Sequence, residues 1–421
     1  MNAHYGVSRW PDEKEIYAKM DRLVNEPIHH IKPEAMQKYM KYFEEKCSGS
    51  KKMIEEAKKV IPGGVQHNLA FNYPFPLVIE KAQGAYLYDI DGNRYVDYLQ
   101  AGGPTLLGSN YEPVNQKVWE VVKESGPVTG LFHPYEMKLA EKIHECMPWV
   151  EMYRCLASGT EADMVAIRIA RTYTGKQRIV KVGGAYHGWS DQLVYSLHIP
   201  YTKTFEAHGI PKEVSENTSE FFPGDVAGLR KVLEENEKAG GTAAVIIEPF
   251  GPESGTRPVA KDFAAKVREL CDEFHTLLIF DEVVTAFRVG PGGAQGYFNV
   301  KPDLTVFGKI VAGGYPMAGG VGGSEEIMSC IAAGVKAGKK KAYVGGTLTA
   351  NPLSCAAGYF AIDEIIRQDA AMKAGENGDK LCDGIQKLID KYELPFVTWN
   401  TGSIVHFEVS GVMYLSAADP D

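Results

Sequence analysis

A chain of 421 residues exceeds the usual span of one domain, roughly 100–200 residues, and is long enough to bury a large core. Apolar residues make up 44 % and charged residues 24 %, and 44 glycines with 23 prolines fall well short of a low-complexity share, so the chain is globular. The net charge of −9 argues against a nucleic-acid partner held by a global positive field. Seven scattered cysteines (Cys47, Cys146, Cys155, Cys271, Cys330, Cys355, Cys382) form no Cys-x-x-Cys pair. They read as reduced thiols of a cytoplasmic protein instead of a disulfide framework, and no metal is expected. No apolar run approaches the roughly 18 residues needed to cross a bilayer, and the polar, acidic start does not read as a signal peptide, so no membrane partner is expected.

From Asp12 to about Ile61 the pattern is charged and helical, with Ile16, Met20 and Leu23 on one stripe and Pro33 as the start signal of a second helix. This predicts an N-terminal helical arm. The turn IPGGV (61–65) interrupts it, and residues 76–99 alternate apolar and polar positions around Asp91-Gly92, which predicts a hairpin or small sheet. From about 105 to 360 short apolar runs alternate with helical stretches: QRIVKVGG (177–184), GTAAVIIEP (241–249), TLLIFDEV (276–283) and DLTVFGKI (303–310). Such runs suit strands buried on both faces, and Lys261 to Phe274 suits a crossover helix, so the fold class is α/β with a large, mostly parallel sheet. Residues 361–421 predict one amphipathic helix, about Ala361 to Tyr392, and the strand GSIVHFEVS (402–410), part of a smaller α+β unit. The expected organisation is a helical arm and small-domain segment over 1–105, a cofactor-binding α/β domain over 106–360, and a C-terminal small-domain segment over 361–421 that reads as short or incomplete.

Ligands of parallel α/β sheets sit beyond the carboxyl ends of the strands, where Glu248, Asp281 and Lys309 fall. Four motifs gather there. ASGTEAD (157–163) opens a helix with Ser158, Gly159 and Thr160 and shows capping-box spacing from Thr160 to Asp163; it suits a phosphate seat, and a plain structural cap equally. GGAYHGW (183–189) puts Tyr186 and His187 at a glycine turn, where an aromatic stacks on a flat heterocycle or simply packs. In LLIFDEVVTAFR, Asp281 leaves a buried strand and needs a partner, either Arg288 or a cationic ring nitrogen. Lys309 follows another buried strand and precedes a glycine turn; desolvation and nearby cations would make its amine a nucleophile, although a snorkelling surface lysine fits the same string. Together a phosphate seat, an aromatic plate, a carboxylate and an imine-forming lysine are the parts that pyridoxal phosphate requires.

The order SGTEA, YHG, EP, FDEV, PDLTVFGK, GTLTANP resembles the class III aminotransferases of pyridoxal-phosphate fold type I, in the branch that includes glutamate-1-semialdehyde 2,1-aminomutase, over roughly residues 50 to 410. The resemblance implies that Lys309 holds pyridoxal 5'-phosphate as a Schiff base and moves protons, and that Asp281 pairs with the ring nitrogen. It places Val283 and Tyr186 on the two ring faces, with Ser158, Gly159, Thr160, His187 and Glu248 among the cofactor contacts. Thr347 of GTLTANP would reach the phosphate of a second subunit in a homodimer. The implied activity is amino transfer; an aminomutase or amino-acid racemase on the same fold is the alternative. A nucleotide-dependent oxidoreductase would need a Gly-x-Gly-x-x-Gly turn, and the chain has none.

Three departures bear on substrate. Ala157 stands where relatives carry Asn, Glu253 stands where the aminomutase branch often has Asn, and Ala70 occupies the place of an arginine that meets the substrate carboxylate. Loss of that arginine suits a carboxyl masked as an ester, amide or thioester. Lys336, Lys339, Lys340 and Lys341 concentrate positive charge before GTLTANP, which suits coenzyme A phosphates or a solvated loop. The QHNLAF and GPESGT segments resemble aminotransferases of β-aminoacyl-CoA thioesters. The expected exchange joins a 3-aminoacyl-CoA such as 3-aminobutyryl-CoA to 2-oxoglutarate, with Arg257 as candidate partner of the keto-acid carboxylate.

Overall fold

The computed structural model describes residues 5–27, 30–334 and 340–411. Packing divides the chain into two compact units, residues 27–115 and the remainder on either side of them.

In the 27–115 unit, Pro33 opens the helix Pro33–Lys46, as its fixed φ favours. The next helix, Ser48–Ala57, is capped from a distance: the Asp91 carboxylate accepts the Gly49 and Ser50 N–H groups at 2.6 and 2.9 Å. The expected hairpin is a three-stranded antiparallel sheet of β1 (Ile79–Gln83), β2 (Tyr86–Asp89) and β3 (Arg94–Val96). Gly92 at φ +82° supplies the left-handed turn between β2 and β3, so one Asp-Gly pair both joins two strands and caps a helix.

The other unit is built on a seven-stranded sheet. Its strands are β4 (Met152–Leu156), β5 (Arg178–Val182), β6 (Thr218–Phe221), β7 (Thr242–Ile247), β8 (Leu277–Asp281), β9 (Leu304–Gly308) and β10 (Gly319–Gly323), in spatial order β4-β10-β9-β8-β7-β5-β6. β10 runs antiparallel to both neighbours and the remaining pairs are parallel. The four apolar runs of the sequence are β5, β7, β8 and β9, and the crossover segment is the helix Phe263–Glu273. Side chains alternate between two cores. Ala244, Ile246, Ile279 and Val306 pack with Val165, Ala166 and Ile169 of the helix Gly159–Thr174. Val245, Ile247, Leu278 and Phe280 pack with Leu229 and Leu233 of Val226–Glu237 and with Phe263 and Val267. Helices on both faces explain why these strands are apolar throughout.

β10, GGVGG, is a strand that no signal in the sequence announces. Its glycines are required by close approach: a Cβ at Gly319 would lie 2.3 Å from the Ser158 carbonyl oxygen, and one at Gly320 2.1 Å from the Tyr153 hydroxyl. The single helix expected over 361–392 is two helices, Pro352–Arg367 and Ala370–Tyr392, with the chain turning at Asp369 (φ +50°). The second packs against a hairpin of β11 (Val397–Thr401) and β12 (Ile404–Glu408). Ile16 and Met20 of the helix Glu13–Asn25 are buried against Val397 and Trp399, with Leu23 beside them. The helices of the arm expected over 12–61 fall in both units, and the apolar stripe of the first finds its partner at β11. The compact units accordingly part at 26/27 and 115/116, whereas the pattern changes in the sequence fall at 105/106 and 360/361. Among the described residues no helix is long and apolar enough to cross a membrane.

Candidate active site

β4, β5, β7, β8 and β9 point the same way, so the segments that follow them share one end of the sheet. Glu248 follows β7, Asp281 ends β8 and Lys309 follows β9. The loop after β4 carries Ser158 to Thr160, and the loop after β5 carries Tyr186 and His187.

Asp281 is only 5 % exposed, and both of its oxygens accept hydrogen bonds: His187 Nδ1 lies 2.7 Å from Oδ2, and the Val283 N–H donates to Oδ1 at 3.0 Å. Arg288, one of the two candidate partners, donates to the Ser403 hydroxyl at 3.1 Å. His187 is itself buried, and desolvation holds its pKa below the ordinary value, so the neutral ring donates its Nδ1–H to the carboxylate. Glu282, the second acid of FDEV, is structural: it accepts the Ala294 and Gln295 N–H groups at 2.6 and 3.1 Å, capping the turn Gly293–Phe298.

Lys309 adopts φ +49°, left-handed for a residue with a Cβ, and begins a short turn, Lys309–Ala312. Burial lowers the pKa of its ammonium; the Asp281 and Glu248 carboxylates oppose the shift and Arg288 adds to it. Around it the backbone closes on Val283. A Cβ at Gly159 would lie 3.0 Å from one Val283 methyl, and one at Gly308 would lie 2.8 Å from the other. A Cβ at Gly188 would stand 2.2 Å from Thr160 Oγ1, so the SGT and YHG segments touch. Tyr186 is 47 % exposed beside them.

The helix Gly159–Thr174 is capped by Ser158, whose hydroxyl accepts the Glu161 N–H at 3.2 Å, while Glu161 accepts the Ala157 N–H at 2.9 Å. The capping spacing expected from Thr160 to Asp163 is thus Ser158 to Glu161, two residues earlier. Asp163 points inward and is 1 % exposed; burial, then repulsion from Asp281 and Glu248, raises its pKa well above the carboxylate range. Glu248 accepts the N–H groups of Tyr186, Glu253 and Ser254 at 3.3, 2.7 and 2.6 Å, which ties two loops together, and burial pushes its pKa up to about 8.

Sequence reasoning missed Lys181. It is fully buried on β5, and its ammonium donates to the carbonyls of Ala185, Leu193 and Tyr195 at 2.8, 3.0 and 2.7 Å, bracketing the loop that bears Tyr186 and His187. A lysine inside the run IVKV was the available signal.

The candidate substrate residues lie as follows. Glu253 has φ +51° and lies 3.2 Å from His198 Nε2. Arg257 is 1 % exposed and donates to the His198 carbonyl at 3.4 Å. Thr347 and Lys340 are exposed. Lys341 donates to the carbonyls of Ala332 and Gly334, while Lys336 and Lys339 lie outside the described residues.

Residues 69–412 match the profile of the family described as Aminotransferase class-III. The chain is 38 % identical over 367 residues to a glutamate-1-semialdehyde 2,1-aminomutase of Lachnoclostridium phytofermentans, covering 84 % of this chain and 82 % of that protein. An omega-transaminase from Sphaerobacter thermophilus superposes with a TM-score of 0.80 at 30 % identity, over 89 % of this chain and 87 % of the other. A β-phenylalanine aminotransferase from Variovorax paradoxus does so with a TM-score of 0.78 at 25 % identity, over 97 % and 87 % of the two chains.

Asp163 yields a prediction about stability. With its folded pKa raised above the ordinary value of 3.8, the native state keeps a proton that the unfolded chain releases, so this group destabilises the fold as pH rises above about 4. Asp163→Asn should therefore gain stability over the native sequence by up to about 1.4 kcal/mol per pH unit between pH 5 and 7 in urea titrations. A difference that does not change with pH would contradict the assignment.

Proposed function

This chain belongs to the class III aminotransferases, which are pyridoxal 5'-phosphate enzymes of fold type I, and from that premise we propose that it exchanges an amino group between a 3-aminoacyl-CoA, such as 3-aminobutyryl-CoA, and a keto acid such as 2-oxoglutarate. The residues at the sheet end suit the cofactor. Asp281, with a carboxylate whose oxygens both already accept, would hold a proton on the ring nitrogen. Val283, fixed between Gly159 and Gly308, offers a rigid apolar surface for one ring face, and half-exposed Tyr186 one for the other. Gly159 and Thr160 open a helix of 16 residues, whose N-terminal N–H groups and dipole favour a phosphate.

When bound, pyridoxal phosphate supplies an electron sink for the carbon that carries the amine. Lys309 would hold the cofactor through its amine, and burial makes the neutral, nucleophilic form of that amine more accessible. Lys309 Nζ would also accept a proton from one substrate carbon and deliver it to another. His187 holds Asp281 in place throughout, and Glu248 and Lys181 hold the loops that carry the aromatic plate.

Ala70 carries the choice of substrate. It stands where the aminomutase branch has an arginine, on the exposed turn Asn68–Ala70, and removes a bidentate carboxylate clamp. A thioester has no carboxylate to clamp. Exposed Lys340 supports an anionic handle; Lys341, engaged with two carbonyls, supports it less. The second reading, an aminomutase acting on glutamate-1-semialdehyde, is favoured by the 38 % identity to that enzyme. With 2-oxoglutarate as acceptor, 3-aminobutyryl-CoA should give a kcat/KM at least about tenfold above free 3-aminobutyrate and α-amino acids, a difference of about 1.4 kcal/mol. Preference for the free acids would remove the thioester, and isomerisation of glutamate-1-semialdehyde without any added keto acid would establish the second reading.

The proposal includes a homodimer working in the cytoplasm, in keeping with seven free cysteines and with Thr347 being exposed. Lys309→Ala and Thr347→Ala chains should each be impaired alone. Co-refolded, they should regain activity, because one site of each mixed dimer keeps both groups. Absence of recovery despite proven subunit exchange would place Thr347 in its own chain's site.

A further inference from the structure

Behind the strand ends three buried side chains meet: Asp163 from the helix Gly159–Thr174, His187 from the loop after β5, and Asp281 from β8. One oxygen or ring nitrogen from each lies within 4.8 Å of the other two. His187 Nδ1 and Asp281 Oδ2 are joined at 2.7 Å. His187 Nε2 and Asp163 Oδ1 are both buried, and neither has a hydrogen-bond partner among the described residues. Unpartnered polar atoms inside a protein cost about 1–3 kcal/mol each, so two of them in one cluster, one an acceptor in need of a donor, call for an explanation.

The chemistry of the imidazole supplies it. A neutral ring has one N–H and one lone pair. With Nδ1–H directed at Asp281, the lone pair falls on Nε2. In the other tautomer a lone pair on Nδ1 would face a carboxylate at 2.7 Å, a contact made tolerable only by moving a proton onto Asp281. A protonated Asp281 could not retain a proton on the ring nitrogen of the cofactor. A carboxylic acid O–H at position 163 is a donor of the right kind for Nε2, an Asp163 oxygen lies within 4.8 Å of a His187 ring nitrogen, and burial, then repulsion from Asp281 and Glu248, favours that form.

We propose that Asp163 is a positioning residue that donates, as a carboxylic acid, to Nε2 of His187, fixes the Nδ1–H tautomer, and so keeps Asp281 an acceptor-only carboxylate directed at the ring nitrogen. This rests on the reading of Asp281 as the partner of that nitrogen and deepens it. The chain Asp163–His187–Asp281 passes information in one direction: a proton on Asp163 decides which nitrogen of His187 is protonated, and the imidazole decides what Asp281 can hold. An apolar residue would fill the inner face of the helix equally well, next to Ala162 and Ala166, so packing alone gives no reason for an acid there.

The test is nuclear magnetic resonance on holoenzyme carrying 13C-labelled aspartate and 15N-labelled histidine. At pH 7 the Asp163 carboxyl should show the shift of a protonated acid, and His187 should show a protonated Nδ1 with a hydrogen-bonded Nε2. Asp163→Asn, whose amide also donates, should preserve the His187 pattern and leave the dissociation constant of pyridoxal phosphate within about threefold of the native value. Asp163→Leu, which cannot donate, should alter the His187 shifts and raise that constant about tenfold. An ionised Asp163 in the native protein at pH 7 would overturn the proposal without recourse to any variant, and so would Asp163→Leu with native His187 shifts and native cofactor affinity. A 15N-labelled cofactor ring separates the two levels: a ring-nitrogen signal indifferent to Asp281→Asn refutes the reading of Asp281, while the Asp163 and His187 signals of the apoprotein still report on the link between them.

Discussion

The working end of the sheet depends on one carboxylate held inside protein. Asp281 ends a strand whose other residues are all buried, in surroundings where an isolated charge costs several kcal/mol. It is tolerable there because two donors, His187 and the Val283 N–H, meet its two oxygens. Those donors must in turn be held. Val283 is two residues along the same chain, but His187 lies on a loop from another strand, and that loop is fastened by the Lys181 ammonium through three carbonyls and by Glu248 through the Tyr186 N–H. A buried lysine and a buried glutamate thus set the position of the loop that carries the donor to Asp281.

A second constraint is how closely backbones approach. Val283 is β-branched and stiff at χ1, and glycines at 159 and 308 let two other segments close against its methyls. Lys309 comes directly after one of these glycines and turns in the left-handed region, which sends the chain from a buried strand into a short turn within one residue. Gly188 meets Thr160 in the same manner. Four motifs far apart in sequence therefore converge through contacts that tolerate no Cβ. The lysine turn is backed by the helix Pro352–Arg367, where a Cβ on Gly358 would lie 1.9 Å from the Val311 carbonyl oxygen.

Much of this was legible in the sequence because the relevant signals are local. Apolar runs ending in Glu248, Asp281 and Lys309 announce buried strands with chemistry at their carboxyl ends. What escaped was set by contacts between distant residues. β10 is four-fifths glycine and carries no propensity for a strand; only the nearness of Ser158 and Tyr153 explains it. Asp163 sits at a spacing that mimics a helix cap, and its burial beside His187 follows from where the helix lies on the sheet. Arg288 was the nearest cation in sequence to Asp281, but His187, 94 residues away, is the partner in space. Lys181 lies in a run read as buried on both faces, where three carbonyls of the following loop, outside the strand pattern, make a charge tolerable. Arg257, an inviting carboxylate partner by charge, lies buried beside His198.

The central claim is that Lys309 is the residue that bonds to the cofactor while Asp281 faces its ring. Borohydride reduction of the holoenzyme, followed by proteolysis and mass spectrometry, tests it most directly. A single pyridoxyl-modified peptide carrying the label on Lys309 is the predicted result. Label on Lys181, label spread over surface lysines such as Lys340, or no fixed cofactor at all would contradict it.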